Sequence, residues 1–421
     1  MRTFFLAEKA ALIYCVGLGL LTMEMAVLSL IGIKFSVFSL SVCIVPIIAA
    51  AVLIPPRRWD SPKPFSVIEK FFIGAIAFEV LYAFFRTLIM PMEGYDAIAI
   101  YALKAKIFYL AGAIPHDFLT ALKGFVPHIE YPLLIPLAET SFYTFLGSLN
   151  DLAVKVIFPL YYLSLLVVFY SVLKRFLNRK QSLLFTFLLA TLPQVTDFAT
   201  NGYADLPFAF YCSSAIFYLY LWMREKQKSF IILSFILSIL AMWTKTEGLI
   251  FALINAVIAV IYSVKERSSA TMGYAYAALS VLMVGAYLFI GRSLGLAVNS
   301  DFVSSKASIL TRLTTGFERI PAILYEYQIQ FFGPKRWNLI WILFIAGLII
   351  GFRKIFSKNL MPVTASIILV LLGYTGVYMI SCSPQGIGWH LSTSGSRLFL
   401  HFVPLVALWL ALMFKELNLD L

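Results

Sequence analysis

The chain has 421 residues, of which 61% are hydrophobic and only 13% charged, and it carries a formal net charge of +12. A soluble domain is about half apolar and a quarter charged, so this composition excludes an ordinary water-soluble enzyme and indicates a chain that crosses a bilayer repeatedly. The positive charge does not point to nucleic acid, because the basic residues gather in short loops between apolar runs, as cytoplasmic loops do. Spans of this kind are helices, since hydrocarbon cannot satisfy open backbone groups. Cys15, Cys43, Cys212 and Cys382 are scattered, mostly through apolar runs, without metal-ligand or disulfide spacing, and read as small core residues. No small-residue cleavage site closes the first apolar run, so it reads as a retained span.

In chain order, Leu6 to Ile33 is a first span and Phe35 to Leu53 a second. PPRRWDSPKP, with Arg57, Arg58 and Lys63, is a cytoplasmic loop by charge. Phe65 to Met90 leads outward to the most polar long stretch, residues 92–137, MEGYDAIAIYALKAKIFYLAGAIPHDFLTALKGFVPHIEYPLLIPL. From Tyr95 to Leu110 apolar residues recur at near-helical spacing, which predicts an amphipathic helix lying in the membrane surface. Leu133 to Leu149 is apolar but holds Pro136 and Glu139. Only one full crossing fits between Met92 outside and the basic loop Lys174, Arg175, Arg179 and Lys180 inside. Asp151 to Leu173 supplies that crossing, so Leu133 to Leu149 is expected not to cross. Ser182–Val195, Tyr203–Met223, Phe230–Trp243, Leu249–Val264 and Met272–Ile290 then alternate across the membrane. Residues 291–337 form a second outer loop, and Leu339–Phe352, Leu360–Ser381 and Leu398–Phe414 complete the chain. The expectation is an all-α polytopic membrane protein, a single transmembrane domain over 1–421 with about 12 transmembrane helices and every basic loop on one side.

Ionisable residues at membrane depth cost roughly 2.5–3.5 kcal/mol each on insertion scales and are functional candidates by default. Here most acids outside the inner loops, Glu93, Asp96, Glu130, Glu139, Asp197, Asp205 and Glu247, fall at the outer ends of spans, which predicts an outward-facing polar cavity. Glu93 and Asp96 are three apart and share a face if helical; they cap that helix, one of them is a catalytic base, or both. Lys104 and Lys106 flank the Asp96 direction. His128 and Glu130, beside Tyr131 in PHIEYPLLIPL, either anchor an interfacial loop or join Asp96 as ligands of a divalent cation. His116 is surface. Asp205 is explained as a helix N-cap, while Lys245 and Glu247 in WTKTEG pair with each other or face the cavity. Arg397 in SGSRLFLHF is either an interfacial snorkelling arginine or a bidentate phosphate ligand. Tyr95, Tyr101, Tyr131 and Trp389 are candidates to line a sugar site.

Four of these pieces, EGYDAIAIYALKAK, HIEYPLLIPL, NGYADLPFAFY and SGSRLFLHFVPL, spread over residues 93–404, carry a resemblance to the GT-C superfamily of polyprenyl-phosphate-sugar glycosyltransferases. Within it the chain resembles the bacterial branch related to protein O-mannosyltransferases and the lipid A aminoarabinose transferase, glycosyltransferase family 39. The resemblance implies membrane-surface helices and a catalytic acid in the first outer loop, Asp96 with Glu93 as the alternative. It also implies basic residues on the lipid phosphate, Arg397, Lys104 or Lys106. The implied partners are a polyprenyl-phosphate-linked sugar donor, membrane lipids, and a glycan, lipid or protein acceptor, at the outer face of a bacterial inner membrane. No cofactor is required beyond the candidate divalent cation. Two departures stand out: two spans precede the one that leads into the acidic loop, and no large C-terminal soluble domain is present. The rival class is a lipid flippase or small-molecule transporter, which would place broken helices and polar groups near the midplane in two related halves.

Overall fold

The computed structural model describes residues 4–42, 45, 49, 64–118, 127–267, 270–293, 309–381 and 385–419, and among these the chain is helical with no strand. Cys43, Cys382, the Arg57–Arg58–Lys63 loop, part of Phe35–Leu53 and part of the 291–337 loop lie outside the described residues. Helix starts are set by local side-chain chemistry. The Ser66 hydroxyl accepts from the Glu69 backbone while Glu69 accepts from the Ser66 backbone, a reciprocal cap, and Asn178 and Gln181 repeat it. Two helices end on left-handed glycines, Gly112 and Gly147.

Along the chain, α1 (Leu6–Leu30) and α2 (Val67–Ile89) lead to a π-helical run (Asp96–Ala102) that continues as α3 (Leu103–Ala111). Next come α4 (Leu134–Leu146), α5 (Ile157–Leu173), α6 (Arg179–Ala190) and the short α7 (Pro193–Phe198). The central part is α8 (Asp205–Glu225), α9 (Lys228–Thr244), α10 (Gly248–Lys265) and α11 (Ala270–Ser293). The remainder is α12 (Ile309–Gly316), α13 (Ile320–Phe332), α14 (Pro334–Trp337), α15 (Ile340–Ile350), α16 (Met361–Ile380) and α17 (Ile387–Glu416).

Among the described residues, eight helices are long and apolar enough to cross a membrane: α1, α2, the run ending in α5, α8, α10, α11, α16 and α17. This is a multi-pass membrane protein. The expected total of about 12 also includes α9 and α15, which are apolar but shorter, and Phe35–Leu53, only part of which is described. It counted α6 as well, whose 12 residues rise about 18 Å against a hydrocarbon core of about 30 Å.

Burial is graded from the centre outward. The apolar window of α8 is 100% buried, whereas that of α2 is 22% buried and turns Phe71, Phe78, Leu81 and Phe85 outward. Around α8 pack α9, α17, α5 and α10. Exposed aromatic surface of this extent suits lipid rather than water.

The helix ends sort by charge. Glu8, Arg175 and Glu225 meet at one end, together with Arg179–Glu69, Lys358–Glu266 and the Arg224–Asn359 contact. The described basic loops therefore share one end of the bundle, as the alternation of spans requires. Two local expectations are corrected. The segment before Leu398 is not loop: α17 begins at Ile387. Its polar stretch stays helical because Ser392, Thr393 and Ser394 return hydrogen bonds to the carbonyls of Trp389 and His390. Much of the described part of the second loop, 309–337, is likewise helical.

Candidate functional site

Two Gly-Tyr turns meet at the end of the bundle opposite those basic loops. Gly94 has φ +91° and Gly202 φ +83°, a region open to glycine at no steric cost. A Cβ at Gly94 would lie 2.5 Å from the Tyr203 hydroxyl, and one at Gly202 would lie 3.2 Å from the Ala97 Cβ. The turn carrying Asp96 therefore docks directly on the turn carrying Asp205. Lys155, itself buried, donates to the Met90 and Pro91 carbonyls and fixes where α2 hands over to this turn. Asp96 opens a π-helical run, a geometry often found at functional sites. Glu93 precedes Gly94 in an exposed loop, so the expected shared helical face of Glu93 and Asp96 does not form.

One guanidinium joins the two turns. Arg397 on α17 reaches Asp96 Oδ2 from Nη2 at 2.7 Å, and it donates to Asp205 from Nε at 3.2 Å and from Nη2 at 3.0 Å. Asp205 is fully buried. It is not a helix cap: Ala204 holds that position, and α8 has no side-chain cap. Its carboxylate also accepts from Lys245 Nζ at 2.8 Å and from His401 Nε2 at 3.0 Å. Lys245 in turn pairs with Glu247 at 3.2 Å. A buried carboxylate left unpaired costs several kcal/mol, and these three donors offset that cost. Because Asp205 only accepts, His401 carries its proton on Nε2. In the neutral ring, Nδ1 then accepts from the Tyr374 hydroxyl at 2.9 Å. Arg397 also lies over the Tyr203 ring, 5.2 Å from its centre.

Beside this cluster, the HIEY loop is tied down from beneath. Lys104 is fully buried on the inner face of α3 and donates to the His128 carbonyl. Burial pushes its ammonium down to about 7, against the pull of nearby Glu130. His128 adopts φ +48°, stacks on Tyr131 with ring centres 4.5 Å apart, and lies 3.5 Å from Glu130. Lys106 points elsewhere and pairs with Asp151 at 2.6 Å. Tyr101 is buried beneath the cluster.

These parts line a cavity of about 950 Å³ whose wall includes Asp96, His128, Tyr131, Lys245, Glu247 and Arg397. Tyr95 and Trp389 line it too, whereas Glu93, Lys104, Lys106, Glu130, Tyr101 and Asp205 are not part of the lining. The expected metal group of Asp96, His128 and Glu130 does not gather: Asp96 turns to Arg397, His128 and Glu130 face each other, and no set of three or more ligand residues converges among the described residues.

The sequence reading singles out none of four further contributors: His401, Tyr203, Arg336 and Gln194, the last three on the cavity wall. Only His401 left a readable signal. Arg397 and His401 are four apart, so two polar side chains share one face where the apolar run from Leu398 begins. The cluster carries Arg397 and Lys245 against Asp96, Asp205 and Glu247, hence two cations for three carboxylates. No family model, no curated protein and no solved structure matches the chain.

Proposed function

We propose that this protein is an integral membrane glycosyltransferase that moves a sugar from a polyprenyl phosphate to an acceptor hydroxyl, with Asp96 as general base. The observation that carries the reading is the Asp96 carboxylate on the wall of a large cavity, aimed by an arginine that a fully buried aspartate anchors. With Oδ2 on Arg397, Oδ1 is left for the acceptor. Asp96 takes the acceptor proton while the acceptor oxygen bonds to the anomeric carbon and the carbon–phosphate oxygen bond breaks, inverting that centre. The leaving phosphate gains the electron pair and needs a cation beside it. Tyr95, Tyr131 and Trp389 supply aromatic walls suited to a sugar ring.

In this reading the cavity opens at the outer face of a bacterial inner membrane, the topology has about 12 spans with both termini inside, and the acceptor is a glycan, lipid or protein. The resemblance of the four sequence pieces around Asp96, Tyr131, Asp205 and Arg397 supports it. So does the convergence of all four pieces on one cavity wall, through Asp96, Tyr131, Tyr203 and Arg397.

The test uses purified wild type and Asp96→Asn in lipid nanodiscs, with release of polyprenyl phosphate measured across a panel of polyprenyl-phosphate sugars and envelope acceptors. Turnover by wild type and a loss of about 100-fold or more in the variant is the expected result. Turnover that survives the substitution removes Asp96 from the reaction. Lipid movement across the bilayer without any release would sink the transferase reading in favour of a flippase.

A further inference from the structure

The leaving phosphate needs a cation that is not already spent. Arg397 is shared between Asp96 and Asp205, and Lys245 between Asp205 and Glu247. Lys106 is paired with Asp151, and Lys104 is buried against the His128 carbonyl. An added phosphate would meet a cluster that already holds one carboxylate more than it has cations. Arg336 differs. It lines the same cavity, is exposed, and among the described residues its side chain has no hydrogen bond or ion pair.

Its position is fixed by its neighbours. Trp337, the next residue, is buried and donates to Gln330 at 2.9 Å. Asn338 donates to the Thr191 carbonyl at 2.8 Å, tying α14 to the start of α7. α7 packs on α14 and carries Gln194, whose side chain lines the cavity, is 8% exposed, and likewise has no hydrogen bond among the described residues. The Gln194 amide is thus open to the cavity, with its hydrogen-bonding groups available to a polar ligand. A guanidinium on the wall of the same cavity suits the oxygens of a phosphate.

We propose that Arg336 and Gln194 form the seat for the donor's phosphate, and that Arg397 acts instead as a positioning residue for Asp96. This rests on the transferase reading. The sugar would then lie between the phosphate on α14 and the base on the opposite turn.

The experiment measures binding of farnesyl phosphate, farnesol and inorganic phosphate to the full chain in nanodiscs, for wild type, Arg336→Gln, Gln194→Leu and the charge-matched control Lys335→Gln. Expected are a preference of wild type for farnesyl phosphate over farnesol, a loss of about 10- to 100-fold in Arg336→Gln, a smaller loss in Gln194→Leu, and no change in Lys335→Gln. Competition by inorganic phosphate should disappear in Arg336→Gln.

Undiminished binding of farnesyl phosphate to Arg336→Gln would overturn the seat and leave the transferase reading intact, since that is judged by turnover. An equal loss in Lys335→Gln would reduce the effect to surface charge and also overturn it. Inorganic phosphate that binds at Arg336 as tightly as farnesyl phosphate would make this a soluble-anion site, against the proposal. Absence of turnover with every donor counts against the parent reading instead.

Discussion

Two buried ion clusters occupy opposite ends of this bundle. At the closed end, Glu8 accepts from Arg175 at 3.2 Å, the Tyr218 hydroxyl at 2.8 Å and the Phe5 backbone at 3.0 Å. Arg175 also reaches Glu225 and is flanked by the rings of Phe5 and Phe230. At the open end, Asp205 plays the part of Glu8 and Arg397 that of Arg175, each arginine bridging two carboxylates. Among the described residues, each cluster has one carboxylate more than it has cations, and each contains a fully buried acid. Buried, paired charge therefore does not by itself mark a site in a membrane protein. The distinguishing feature is the second carboxylate at the open end: Asp96 sits on the wall of a cavity lined with aromatic side chains. None of the closed-end residues touches that cavity.

Substitutions should separate the two clusters. The largest effect is expected from Asp96→Asn, which should cut turnover by about 100-fold or more and leave the unfolding midpoint in place. Glu8→Ala should do the reverse. It leaves Arg175 without its buried partner, so unfolding in detergent should show a loss of about 3–5 kcal/mol, while turnover per folded molecule stays at the wild-type value. If Glu8→Ala instead abolishes turnover in folded protein, the comparison between the two ends breaks. Asp205→Asn belongs to both classes, and both its stability and its activity should fall. A smaller effect is expected for His401→Phe. It removes one of the three donors to Asp205 and should lower kcat by about 10-fold, on the scale of one lost hydrogen bond, with donor KM unchanged. A shift in KM alone would mean that His401 acts through substrate binding.

The smallest effect is on pH dependence and belongs to Lys104. Its folded-state value of about 7 lies below the unfolded value of 10.5. Between these pH values the unfolded chain binds the extra proton, so stability rises with pH, with a slope of up to about 1.4 kcal/mol per pH unit from this group. Below about 7 that contribution is absent. Lys104→Met should flatten the slope between pH 7 and 10.5, which denaturation series at several pH values would report. An unchanged slope would mean that the buried ammonium gains its proton as readily as a free one.

How much was legible in the sequence varies from residue to residue. Asp96, Lys245, Glu247 and Arg397 stand out because each interrupts an apolar context at the same end of a span, and all four line the cavity. Asp205 reads as a helix cap because an acid at a helix start satisfies a local rule without any reference to Arg397 or His401. Glu93 and Asp96 were placed on one helical face because spacing alone cannot show that Gly94 turns the chain left-handed between them. Lys104 and Lys106 looked equivalent, yet one faces the protein interior and the other pairs with Asp151. Arg336 and Gln194 gave no signal at all, because an exposed arginine and a glutamine beside a proline are ordinary residues until two distant helices bring them to one wall.

The sequence by itself determined the class of the protein, the course of its long helices and which loops share an end. Hydropathy and loop charge act over a single span, so they can be summed along the chain without knowing what packs where. Tertiary structure alone decided that Asp96, Asp205 and Arg397, far apart in sequence, form one unit, and that Glu8 and Arg175 form another away from the cavity. Ion pairs depend on the rotation of each helix about its axis and on its neighbours, and in a chain this apolar many rotations look alike until the few polar groups find one another.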